Sequence, residues 1–125
     1  MGSEIKSYRD LVAWQLAVDL SLLVYELTRT FPDTERFGLT SQIRRASVSV
    51  ASNVAEGYGR GTTSDYQRFL RMARGSLYEV ETQMVIAARL GYLGRDRFEQ
   101  YEAKSNECSR VLAGLLRSIE ARTSA

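Results

Sequence analysis

Apolar residues recur along this chain at steps of three and four in four blocks, each closed by residues that end helices. The first block, "DLVAWQLAVDLSLLVYELTRT", runs from Asp10 to Thr30, with Asp10 placed to cap its start and Phe31-Pro32 its stop. Its polar positions Gln15, Asp19, Glu26 and Thr30 fall four or seven apart and leave a narrow wet stripe. The remainder, including Leu11, Trp14, Leu16, Val18, Leu20, Leu23, Val24 and Leu27, covers a wider arc than one flank of a small bundle buries. That excess predicts a second buried surface, such as a subunit contact.

The second block covers residues 39–57, where Leu39, Ile43, Ala46, Val50 and Val54 define one apolar face. Ala46, Ser47, Ser49, Ala51, Ser52 and Ala55 keep much of the rest small, so a neighbouring helix can come close. The third block, residues 63–91, opens behind Thr62 and Thr63 as caps, with Asp65 in the first turn facing the helix dipole. Phe69, Met72, Ala73, Leu77, Val80, Met84 and Ala87 form its apolar face, and "LGYLG" closes it around Gly91. Asp96 followed by Glu99 reads as a capping box opening the fourth block, residues 96–122. Phe98, Tyr101, Cys108, Val111, Leu112, Leu115, Leu116 and Ile119 carry its core side. Four long helices with short links, and no linker-like or repetitive segment between them, predict one all-α domain over residues 1–125. The expected architecture is an antiparallel up-down four-helix bundle.

The junction "SNVAEGYGRG" raises the question of a phosphate-cradling loop, because Gly57, Gly59 and Gly61 alternate. Such a loop needs a strand before it and G-x-G-x-x-G or G-K-[ST] spacing, and this chain has neither signal. The residues from Gly57 to Gly61 therefore read as a helix-to-helix turn using left-handed glycine.

Composition narrows the chemistry. The chain of 125 residues has no histidine and a single cysteine, Cys108, which removes an internal disulfide, a Cys/His zinc site and His-based acid–base catalysis. No cofactor or metal is expected, and no enzymatic activity. Without a signal-peptide core or a stretch approaching a membrane span, the expectation is a cytoplasmic protein with no membrane partner. The formal net charge of +2 is too small to identify a partner.

Local charge is more telling. Arg44, Arg45, Arg60, Arg68, Arg71 and Arg74 lie between Thr40 and Gly75 against only Glu56 and Asp65, and Arg68, Arg71 and Arg74 advance by threes along one helix. An anionic polymer, RNA or DNA, is the candidate partner; Tyr58 and Tyr66 near the turn are candidates to stack on exposed bases, the alternative being that they pack there, as tyrosines at bundle ends more often do. The alternative has Arg44 or Arg45 paired with Glu79 or Glu81 and the other arginines solvated, which leaves a protein-interaction scaffold. Asn53, Glu56, Ser76 and Gln83 form a second candidate group, a buried polar cluster between the second and third helices that sets register or a subunit contact.

"YRDLVAWQLA", "FPDTERFGLTSQIRRASVSVASNVAEGYGR" and "YQRFLRMARGSLYEVETQ" resemble the signature segments of the four-helix bundle protein family, also called the large-subunit ribosomal RNA intervening-sequence proteins. The likeness runs from about Tyr8 to Leu93. It implies an up-down bundle assembling into a ring-like homo-oligomer, a homopentamer. It also implies kinship with the accessory proteins of diversity-generating retroelements, whose basic barrels engage a reverse transcriptase and nucleic acid. No catalytic residue comes with the resemblance.

Overall fold

The computed structural model describes residues 4–124 and contains four long helices and no strand among them. The helices are α1 (Val12–Leu27), α2 (Leu39–Gly59), α3 (Thr63–Arg89) and α4 (Arg95–Ser124). Contacts run α1 to α2, α2 to α3, α3 to α4 and α4 back to α1, so the helices occupy the corners of a square. Each helix contributes its 3/4-spaced stripe to one core. On α1 that stripe is Ala13, Ala17, Leu20, Val24 and Leu27, and it meets Ile43, Val50 and Val54 of α2, Leu70, Leu77 and Met84 of α3, and Tyr101, Leu112 and Ile119 of α4. Each such leucine or isoleucine, fully withdrawn from water, contributes about 1.5–3 kcal/mol.

The helix boundaries depart from the sequence reading in four places. Asp10 does not cap α1: Tyr8–Asp10 forms a separate 3-10 turn, in which Ser7 and Asp10 make the capping box, and the backbone turns extended at Leu11 before the helix begins. At the other end Thr28–Thr30 tightens into 3-10 geometry ahead of the extended Phe31, which precedes Pro32. Asp96 is not a cap either. Helix α4 starts one residue earlier, with the Gly94 carbonyl accepting the Phe98 N–H, so Asp96 lies exposed in the first turn. Thr62, by contrast, does cap α3, its hydroxyl accepting the Asp65 N–H at 3.1 Å.

The fourth departure concerns the glycines. Gly57 and Gly59 are helical residues of α2, and among the described residues left-handed backbone occurs only at Gly61 (φ +89°) and, after α3, at Gly91 (φ +84°). Gly57 is buried for a different reason. A Cβ there would fall 2.8 Å from the Phe69 Cβ and 3.2 Å from Tyr66 Cδ1, so the missing side chain is what lets α3 lie this close.

At the opposite end of the bundle Glu35 holds three segments together. One carboxylate oxygen accepts the Leu39 N–H at the start of α2, and the other accepts the Tyr92 hydroxyl from the α3–α4 link at 2.9 Å. The Phe31 and Tyr92 rings pack beneath that bond, 5.7 Å apart.

Candidate nucleic-acid interface

The arginines singled out in the sequence do not share one face. Arg44 folds back onto the end of α1: its Nε donates to Thr28 Oγ1 at 2.9 Å, a terminal nitrogen donates to the Tyr25 carbonyl, and the guanidinium lies 4.7 Å from the Tyr25 ring centroid. A cation on the last carbonyls of a helix is favourable, so Arg44 is occupied in holding α1 to α2. The expected pairing of Arg44 with Glu79 or Glu81 is therefore not found. Arg45 borders a hollow of about 250 Å³ with Gln42 and Glu79 on the α2–α3 side.

Around the Gly61 turn the cations are paired with acids. Asp65 lies 3.3 Å from Arg68 and 3.9 Å from Arg60, and Arg60 also reaches Glu56 at 3.3 Å. Both guanidinium groups sit over the Phe69 ring, at 5.2 Å and 4.5 Å. Arg71 crosses to α4 and meets Glu120 at 2.9 Å. All these side chains are about half exposed, so each pair contributes at most about 1 kcal/mol and a phosphate can displace the carboxylate.

The Arg71–Glu120 contact reveals what the linear order conceals. It places residues 63–76 of α3 beside residues 115–122 of α4, and those two stretches hold Arg68, Arg71, Arg74, Arg117 and Arg122 against Asp65 and Glu120, while Arg110 lies level with Glu79 and Glu81. Arg74 shares its side of α3 with Glu81, seven residues on, and Glu81 accepts a hydrogen bond from Ser105 of α4, so Arg74 faces the same seam. Arg110 and Arg117, also seven apart, form an exposed stripe on α4. Among the described residues Arg74, Arg110 and Arg117 make no ion pair. The α4 arginines went unmarked in the sequence because they lie some forty positions from α3's. Their seven-residue spacing and the antiparallel order of α3 and α4 were the available signal.

The predicted polar cluster does not assemble. Ser76 is joined to Ser49 across the α2–α3 seam by a hydrogen bond of 2.6 Å, whereas Asn53 donates to the Ser49 carbonyl of its own helix. Glu56 is exposed and paired with Arg60. Gln83 is buried two turns beyond Ser76, its amide nitrogen 3.5 Å from Glu79 and its carbonyl oxygen without a partner. The reason is geometric: antiparallel helices that match Ser49 with Ser76 put Gly57 level with Phe69 and Gln83 near the start of α2. The four residues are strung along the seam.

A hollow of about 500 Å³ lies on α3 between Ser64, Gln67, Arg68, Arg71 and Met72, and two further concavities lie elsewhere on the surface. Trp14, Val18 and Leu22 of α1 face Val48, Ala51 and Ala55 of α2 across a mainly apolar groove of about 350 Å³, with Leu22 66% exposed. This is the outer part of the wide apolar arc of α1, uncovered in the single chain. The other is a hollow of about 240 Å³ at the Gly61 turn, where Tyr58 and Tyr66 meet Arg122. Burial raises the Tyr66 phenol pKa above its ordinary value, with Arg122 drawing it down and Tyr58 pushing it up. Among the described residues no group of three or more His, Cys, Asp or Glu is placed to hold a metal ion, and no helix is long and apolar enough to cross a membrane.

No curated protein matches the chain. A crystal structure of a protein of unknown function from the S23 ribosomal protein family of Bacteroides thetaiotaomicron VPI-5482 is similar in fold, with a TM-score of 0.77 at 20% identity over 84% of this chain and 98% of that one. The family model for the 23S rRNA-intervening sequence protein matches residues 9–114, which takes in all of α1, α2 and α3 and two-thirds of α4. The chain belongs to the 23S rRNA-intervening sequence protein family.

Proposed function

We propose that this protein is a non-enzymatic, oligomeric accessory protein of the cytoplasm that binds RNA or DNA through phosphate contacts along the seam between α3 and α4. The observation that carries this reading is the excess of five arginines over two carboxylates on those facing stretches of α3 and α4. Arginine suits the task because its planar fork matches a phosphate and stays charged. The lightly held pairs to Asp65 and Glu120 leave the cations available. The kinship with retroelement accessory proteins that the family resemblance implies points the same way.

Self-association accompanies it. Covering Trp14, Val18 and Leu22 with a second copy removes an apolar strip from water, and the small residues Ala51, Ser52 and Ala55 permit a close approach. A pentameric ring follows the family resemblance. Repeating the arginine seam around a ring adds weak contacts through effective concentration.

Fluorescence-anisotropy titrations over a salt series test the reading. Affinity should fall steeply with salt as counterions return to the phosphates. Arg68→Glu/Arg71→Glu and Arg110→Glu/Arg117→Glu should each weaken binding at least tenfold, while Arg44→Gln should leave it unchanged. Absence of binding at low salt, or equal binding by both folded double variants, refutes the phosphate seam. It favours instead a protein scaffold working through the apolar groove. Light scattering after size exclusion tests association: Leu22→Glu/Val48→Glu should release monomers, and a wild-type monomer at micromolar concentration refutes the groove's role.

A further inference from the structure

We infer that the hollow at the Gly61 turn seats one unpaired base, so that the polymer followed by the arginine seam is single-stranded; the inference rests on the nucleic-acid reading above. The hollow lies at the end of that seam. Tyr66 in its wall is two residues from Arg68 on α3, and Arg122 of α4 stands at its rim. At about 240 Å³ it is below the roughly 300–1,000 Å³ of pockets that enclose drug-sized molecules, a size suited to a single small ring system.

The lining suits a base. The Tyr58 and Tyr66 rings are perpendicular, with centroids 6.2 Å apart, so the two phenols offer the hollow differently oriented aromatic surfaces. Their positions are fixed in advance, because the absence of a side chain at Gly57 lets Tyr66 pack against the α2 backbone and little ordering remains to be done on binding. Thr63 adds a hydroxyl for the polar edge of a base. The Tyr66 phenol, protonated at neutral pH as any tyrosine is, enters as a neutral hydrogen-bond donor. A neighbouring phosphate then falls within reach of Arg122 on one side and Arg60 or Arg68 on the other. Aromatic seats joined to a cationic track are how single strands are bound without sequence preference, whereas a duplex keeps its bases stacked inside.

The test uses the whole chain and labelled oligonucleotides of equal length: single-stranded RNA, single-stranded DNA, the corresponding duplexes, and a single strand with abasic sites. At one salt concentration wild type should bind both single strands at least tenfold tighter than the duplexes. Tyr58→Leu and Tyr66→Leu should each lower single-strand affinity about tenfold and leave duplex affinity unchanged, and the abasic strand should bind wild type as weakly as the intact strand binds those variants. The abasic arm needs no mutation, so it decides the matter even if Tyr66→Leu does not fold. Equal affinity for single strand and duplex, or for abasic and intact strands, overturns the base seat. If Arg68→Glu/Arg71→Glu still abolishes binding in that case, the phosphate seam stands without it. A preference confined to RNA transfers recognition to the 2′-hydroxyl and likewise overturns the seat. No binding to any probe removes both proposals.

Discussion

Replacing Gly57 by alanine puts two effects of opposite sign against each other. In a helix interior alanine is favoured over glycine by about 0.8–1.0 kcal/mol, and Gly57 is helical. Its new Cβ, however, would lie 2.8 Å from the Phe69 Cβ and 3.3 Å from the Tyr66 carbonyl oxygen. Carbon atoms pack at about 3.5–4.0 Å, so α2 and α3 must part by about 0.7 Å along a seam that also holds the Ser49–Ser76 bond. Neither obstructing atom is the free end of a side chain that can swing aside. With one contact at 2.8 Å and two more at 3.2–3.3 Å, the overpacking falls in the upper half of the usual range, about 2–3 kcal/mol, and outweighs the propensity gain, leaving a net loss of roughly 1–2 kcal/mol. Gly75, helical on α3 with nothing near its would-be Cβ, supplies the control, and Gly75→Ala should gain about 0.5–1 kcal/mol. Melting followed by circular dichroism, at one fixed protein concentration because association shifts the midpoint, should show Gly57→Ala down by about 4–8 °C and Gly75→Ala up by about 2–4 °C. Equal or raised stability for Gly57→Ala refutes the close-approach argument, and a destabilised Gly75→Ala refutes the propensity argument.

Other substitutions probe other parts of the fold. Burial pushes the Cys108 thiol up to about 11 from an ordinary 9.0, so its contribution to stability is complete below pH 9 and is lost as pH rises to 11. The urea midpoint should fall over that interval, and fall less in Cys108→Ala, which keeps only the contributions of the raised phenols of Tyr66, Tyr92 and Tyr101; equal falls refute the assignment. Glu35→Ala, which leaves the Leu39 N–H and the Tyr92 hydroxyl without their acceptor, should cost about 1–3 kcal/mol in chemical denaturation, and an unchanged midpoint removes the clasp. Met84→Ala, at a fully buried position, should cost about 2–5 kcal/mol, while Met72→Ala, at a position 45% exposed, should stay within about 0.5 kcal/mol in the same assay.

The contrast between the two methionines shows what the sequence conveys and what it omits. Apolar periodicity identified four helices and most of the core, because a stripe such as Ile43, Ala46, Val50 and Val54 has one face on which to be buried. Met72 fits the same period loosely yet stays outside, since the steps of three and four leave a width of arc that only the neighbouring helices resolve. Caps were legible where a side chain does the capping, as at Thr62, and misread where a backbone carbonyl does, as at Gly94. Gly57 reads as a turn in the sequence because glycine permits both a left-handed backbone and a close approach, and composition does not distinguish them. The candidate site was half visible. Arg68, Arg71 and Arg74 form a local series, but Arg117 and Arg122 join them only through the antiparallel pairing of α3 with α4. The cluster of Asn53, Glu56, Ser76 and Gln83 failed for the complementary reason: nearness in register along two helices is set by one matched pair, here Ser49 with Ser76, and the rest follow at 1.5 Å per residue.

An even number of antiparallel helices brings Tyr8 and Arg122 to the same end of the bundle. Tyr8 borders the apolar groove beside Ala55, and Arg122 borders the hollow at Tyr66. A dye or tether attached beside Tyr8 or Arg122 therefore lies close to the very surfaces a binding measurement has to reach. The link containing Asp33–Glu35 lies at the far end, where Thr34 is exposed. Cys108 is the chain's one thiol and is buried, so Thr34→Cys creates a single reactive handle for a dye or a bead. Attached there, the molecule presents its opposite end to solution unobstructed.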